Sequence, residues 1–136
     1  MCKENILVSA CLLGQRCRWH GKVSKSSFLK KNCIEENYNI IPVCPEMLGG
    51  LTVPRNPVKR VKGHVFETCA DKSQRKLVTG IERTKEFNLG AEKTLGIAKK
   101  NNVKRAILCK YSPSCDYSGI TGKLLRENNI EIINTF

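Results

Sequence analysis

A chain of 136 residues suffices for one domain around one core, and its 40% hydrophobic content excludes disorder. The formal net charge of +12 points to an anionic partner, with RNA the obvious candidate, or to a lysine-rich surface. The dispersed cations and the 6% aromatic content favour the surface, and no run approaches the ~20 apolar residues of a membrane span.

In chain order, Ile6-Leu7-Val8 reads as a short buried strand. The loop "CLLGQRCRWHG" follows, with Gly14 and Gly21 as breakers. The apolar stretch before Cys11 is too short for a secretory signal, and Glu4 interrupts its basic end. A cytoplasmic protein with no membrane contact is expected, its eight cysteines reduced rather than disulfide-bonded. A helix is expected over 24–37, with Phe28, Leu29, Cys33 and Ile34 on its apolar side. "NIIPV" at 39–43 is a second strand, and Pro42 puts it at an edge or ends it early. Residues 45–62, with Gly49, Gly50, Pro54 and Pro57, read as loop. "HVFETC" and "RKLVT" suggest a small hairpin. Thr79 and Glu82 have capping-box spacing, opening a helix that runs to about 101 with Phe87, Ala91, Leu95 and Ala98 on one face. "RAILC" is a third strand, "TGKLLRENN" a last helix and "IEII" a fourth strand.

This order predicts parallel strands joined by crossover helices. The expected fold is one α/β domain over 1–136, small, three-layered and Rossmann- or flavodoxin-like, with a mainly parallel sheet. In such a sheet ligands sit at the carboxyl ends of the strands, near the point where strand order reverses. Cys11, Cys44 and Cys115 each follow a different strand at that edge. Any one alone reads as a small buried hydrophobe; together they predict a metal or cluster site with a vacant fourth position. Cys17, between Arg16 and Arg18, reads equally as a fourth ligand or as none. Cys109 reads as core, Cys33 as a helix-face residue, and Cys2 and Cys69 fit no pattern. The absence of a C-x-x-C pair removes the local signature of a zinc ribbon or thioredoxin-like motif.

Glu46, two residues after Cys44, reads as a surface carboxylate paired with a lysine or, beside an apolar sheet edge, as a proton carrier. Ser112 and Ser114 flank Pro113 and alone read as turn residues. His20 and His64 are lone loop histidines, read as no ligands. Gly49-Gly50 reads as a turn or as a close approach of backbone to a ligand.

The strings "VSACLLG", "CRWHG", "PVCPEMLGGL", "PR", "FNLGA" and "SPSC", in that order, resemble the thiouracil desulfidase family over most of the chain. "CPE-x-LGGL" and "SPSC" together are the specific part. The resemblance implies a compact α/β fold and a 4Fe–4S cluster held by three cysteines, here Cys11, Cys44 and Cys115, with the fourth iron open to substrate sulfur. It implies a small thiolated pyrimidine substrate such as 2-thiouracil, released sulfide and oxygen from water, without net electron transfer. It implies Glu46 as proton carrier and Ser112 as a substrate contact. Such a cluster is expected to be lost from protein handled in air.

Three departures stand out. Trp19-His20-Gly21 replaces the usual tyrosine and acid before glycine, and Asp116 stands where the family has glycine after "SPSC". Only "DYSGI" remains of the usual glycine-rich loop. A shorter loop would admit a larger substrate, such as a thiolated nucleoside or tRNA. Two other readings use the same residues: a non-catalytic cluster-, zinc- or sulfur-handling protein, and an RNA-binding module with structural cysteines.

Overall fold

A computed structural model of the chain describes residues 3–15, 28–53, 55–68, 78–109, 114–115 and 118–134. Strand β1 (Glu4–Ser9) runs into a single 3-10 turn (Ala10–Leu13), and α1 (Phe28–Lys31) and α2 (Ile34–Asn37) lead to β2 (Tyr38–Val43). Next come α3 (Pro45–Leu48), then β3 (Val58–Val61), β4 (His64–Thr68) and β5 (Val78–Glu82). The chain continues with α4 (Thr84–Lys100), β6 (Arg105–Leu108), α5 (Ile120–Glu127) and β7 (Glu131–Asn134). The fold is mixed α/β, with a wholly parallel sheet in the order β2-β1-β6-β7 and an antiparallel sheet in the order β3-β4-β5.

β1 lies inside the parallel sheet, and its Ile6, Leu7 and Val8 are wholly buried, as a central parallel strand covered on both faces requires. Burying each such side chain contributes about 2 kcal/mol, so the sheet interior outweighs the exposed Arg105 pairs with Glu4 and Glu131. β2 is an edge strand, which is why Pro42, opposite Val8, is tolerated there.

α4 buries Phe87, Gly90, Ala91, Thr94 and Ala98 along one face, and Leu95 packs partly buried against the core. α4 and α5 end alike. Each runs into a pair of asparagines, Asn101-Asn102 and Asn128-Asn129, whose second member takes a left-handed φ of 53° or 65°. Val103 N–H then bonds the Ala98 carbonyl at 2.9 Å, and Ile130 N–H that of Leu125 at 3.0 Å. These are Schellman closures, and they return the chain directly into β6 and β7.

Several expectations are corrected. The helix over 24–37 is two single turns, because Cys33 sits between them at φ 53°; residues 24–27 lie outside the described residues. Cys33 is exposed rather than on an apolar face, while Leu29 and Ile34 are buried. The stretch 45–62 is not all loop: it contains α3 and β3. β3 and β4 join through Lys62-Gly63, both at positive φ, the pattern of a tight type I′ hairpin turn. The β4–β5 pairing expected from "HVFETC" and "RKLVT" is present, with Phe66 opposite Glu82 and Thr68 opposite Val78. Thr79 and Glu82 therefore belong to a strand, and the helix starts only at Thr84.

The antiparallel insert is clamped to the start of α4. Arg83 Nε donates to Glu67 Oε2 at 2.6 Å, and Asn56 Nδ2 donates to Glu67 Oε1 at 2.8 Å. Burial pushes the Glu67 carboxyl up, but these two hydrogen bonds and the Arg83 charge outweigh it and hold it below the usual carboxylate range. Val65 N–H bonds Thr84 Oγ1 at 2.9 Å and Arg83 N–H bonds the Val65 carbonyl at 2.7 Å. No helix among the described residues is long and apolar enough to cross a membrane.

Candidate active site

Strand order in the parallel sheet reverses between β1 and β6, which makes their carboxyl ends the expected binding crevice. Ser9 pairs with Val43, so β1 and β2 end at the same level. Cys11 lies in the 3-10 turn directly after β1, and Cys44 directly after β2. Cys109 follows β6, and its N–H donates to Ser9 Oγ at 3.0 Å, tying the two strand ends across the crevice. Cys11, Cys109 and Cys115 are buried in one apolar cluster, with Cys44 packed partly buried against it. None of these four is in a disulfide.

Cys115 is placed by α5. The carbonyl of Ser114 accepts the N–H groups of Thr121 at 2.8 Å and Gly122 at 3.3 Å. Burial pushes the Cys115 thiol up to about 11. Hydrogen bonds from the Ser9 and Ser114 hydroxyls oppose that shift, while the charge of Glu46 and the neighbouring Cys109 add to it. Glu46, sixty-nine positions earlier in the sequence, is thus close enough for its charge to act on this thiol.

Glu46 is carried by α3, a single turn with Pro45 at its first position. That turn is pressed against α4 at two glycines. A Cβ on Gly49 would lie 1.9 Å from the Glu86 carbonyl oxygen, and one on Gly90 would lie 1.8 Å from that of Pro45. At Gly49 the close approach is therefore between helices, whereas Gly50, at φ 97° with its N–H on the Met47 carbonyl, is the turn residue. The approach between helices also explains why "LGG" and "FNLGA" occur together.

The described partner of the Glu46 carboxylate is an arginine rather than a lysine. Glu46 Oε2 forms an ion pair with Arg55 Nη2, the two side chains being 16% and 8% exposed. Arg55 Nη1 also donates to the Thr52 carbonyl at 3.0 Å. In the sequence Arg55 stands within "PR", with no role attached. An arginine in the segment leading into the insert, nine residues from the glutamate, was the available signal.

Ser112, Cys17, His20, Cys2 and Cys69 lie outside the described residues. His64 pairs with Glu82 at 2.8 Å on the exposed insert. Among the described residues no three His, Cys, Asp or Glu side chains are grouped to hold a single metal ion. An iron–sulfur cluster takes one cysteine thiolate per iron. Thiols from three separate elements at one buried edge fit that donor chemistry.

Fold and site together define a small α/β protein with thiols gathered at the carboxyl ends of its parallel strands. The model of the 2-thiouracil desulfurase family matches residues 6–135, and the chain belongs to that family. It is 31% identical over 144 residues to the uncharacterized protein YbbK of Bacillus subtilis (strain 168), covering 95% of this chain and 94% of that protein. It is also similar to the solved structure of a 4Fe–4S-dependent thiouracil desulfidase, TudS. There the TM-score is 0.77 and the identity 34%, covering 97% of this chain and 91% of that one.

Proposed function

We propose that this protein is a cytoplasmic desulfidase that replaces the sulfur of a small thiolated pyrimidine, such as 2-thiouracil, with oxygen from water. The observation that carries the reading is the meeting of buried thiols with the Arg55-paired Glu46 at the end of one parallel sheet. Membership of the 2-thiouracil desulfurase family and the likeness to TudS support it. The whole chain acts as one domain, Rossmann- or flavodoxin-like in its strand order.

Cys11, Cys44 and Cys115 would hold a 4Fe–4S cluster. When bound, it supplies a Lewis-acidic iron that prefers sulfur and draws electron density from the thiocarbonyl carbon. The rest falls to the chain's own residues. Glu46 takes a proton from the water that attacks this carbon, and returns a proton to the departing sulfide. Thiocarbonyl and water become carbonyl and hydrogen sulfide, so the reaction is hydrolytic and needs no electron donor. Arg55 fixes the angle of the Glu46 carboxylate. Ser112, three residues before Cys115 in the sequence, is assigned to hold the pyrimidine ring.

The test is sulfide release from 2-thiouracil by protein reconstituted with iron and sulfide without oxygen. Cys44→Ala should lose both iron and turnover. Glu46→Ala should keep its iron and lose roughly 10²–10⁴-fold in rate. Loaded wild-type protein that releases no sulfide would leave a non-catalytic cluster protein instead.

A further inference from the structure

Two serines of the crevice have no part in the reaction described above, yet both are buried against the same sulfur. Ser9, the last residue of β1, and Ser114, in the turn before α5, are each 1% exposed. Ser9 Oγ accepts the Cys109 N–H at 3.0 Å. Accepting that bond uses an oxygen lone pair and leaves the O–H available to donate. The Ser9 hydroxyl hydrogen-bonds the Cys115 thiol. Ser114 Oγ donates to Cys115 Sγ at 3.6 Å, within reach for a large, soft acceptor. The Ser114 backbone is itself fixed by the first turn of α5 through the Thr121 and Gly122 N–H groups. One sulfur thus receives O–H groups from both sides of the reversal point, one carried by β1 and one by the α5 turn.

Satisfying a buried hydroxyl does not require this arrangement. A serine at a strand end ordinarily donates to a nearby carbonyl, and a thiol is a weak acceptor. A thiolate is a strong one. Two convergent donors are therefore matched to the ionised, metal-bound form of Cys115, and poorly matched to the thiol.

We propose that Ser9 and Ser114 are positioning residues: a pair of O–H donors that fixes the Cys115 sulfur and reduces the electron density it donates to bound iron. The assignment rests on the cluster reading given above. Hydrogen bonds to ligand sulfur raise the reduction potential of an iron–sulfur centre. The same withdrawal of charge makes its iron a better acceptor for substrate sulfur.

The experiment uses full-length wild type, Ser9→Ala, Ser9→Thr and Ser114→Ala, each reconstituted without oxygen. Iron and acid-labile sulfide are counted first, and the midpoint potential is then measured by spectroelectrochemistry. Wild type should bind about four irons. Ser9→Ala and Ser114→Ala should each shift the potential in the negative direction at equal iron content. Ser9→Thr, which keeps the hydroxyl, should return it to the wild-type value. Ser9→Ala that fails to load while Ser9→Thr loads with the wild-type potential would also support the hydroxyl role. Equal potentials in wild type and both alanine variants would overturn it. So would failure of both Ser9 variants to load, which would make Ser9 a packing residue. Wild type that binds no iron would instead remove the cluster reading, and this inference with it.

Discussion

A carboxylate that moves protons must be held at one angle without being neutralised, and Glu46 is held by a guanidinium. Arg55 is the more buried of the two, so it cannot swing into water when its partner is lost. Arg55→Gln should leave iron content unchanged and lower sulfide release by roughly tenfold to a hundredfold. Arg55→Lys should recover only part of the rate, because an ammonium does not reproduce the planar fork. The stability cost of Arg55→Gln should be about 2 kcal/mol, less than the ~4 kcal/mol of a fully buried pair, since Glu46 keeps some solvent. Iron analysis, steady-state rates and denaturant midpoints on the same preparations separate these effects. A rate equal to wild type would mean that Glu46 needs no orienting partner. The pair was half legible in the sequence. Glu46 draws attention by following Cys44, whereas Arg55 acquires a meaning only through its contact with Glu46 in the fold.

The element that most directly sets the site is the four-residue turn α3, which has too few internal hydrogen bonds to stand alone. Its position is imposed by α4, through backbone contacts that leave no room for a Cβ at Gly49 or Gly90. Gly90→Ala should push α3 away, displacing Cys44 and Glu46 together, and should lower both the melting temperature and the iron retained. Gly96→Ala, in the same helix but with nothing within 4 Å of the added Cβ, should instead stabilise by about 0.5–1 kcal/mol. Thermal unfolding and iron content of the two variants give the comparison, and equal behaviour would mean that the α3–α4 contact is loose. All four parallel strands were legible because their apolar runs need no tertiary information. The misread elements share a different cause. Thr79 and Glu82 fit a capping box and a strand equally well; pairing with β4, and Gly80 at φ 90°, decide for the strand. Cys33 looked helical by spacing, yet its left-handed φ divides the segment.

At the scale of the molecule, topology brings Cys11 and Cys44 to one edge, because parallel strands deliver their carboxyl ends to the same side, and the start of α5 fixes Cys115 there. What the sequence could not carry is how deeply each thiol is buried, and that depth has a consequence for the metal-free protein. The Cys115 thiol is pushed up to about 11 from an ordinary 9.0, chiefly by burial. Between these two values the unfolded chain gives up its thiol proton while the folded chain keeps it. The unfolded state then binds fewer protons, so stability falls as pH rises. The contribution is complete below about pH 9 and is lost toward pH 11, by roughly 2–3 kcal/mol in all. Lysines and the other thiols titrate in the same window, so the informative quantity is the difference between wild type and Cys115→Ala. The unfolding free energy of reduced, metal-free protein, read from denaturant titrations, should fall between pH 8 and pH 10.5 by about 2 kcal/mol more in wild type than in the variant. Reconstituted wild type should lack this extra loss, because a ligating thiolate has already released its proton to the solvent on binding. Parallel pH dependence in metal-free wild type and Cys115→Ala would mean that Cys115 ionises as easily in the fold as in the open chain, and that its burial is no barrier to metal uptake.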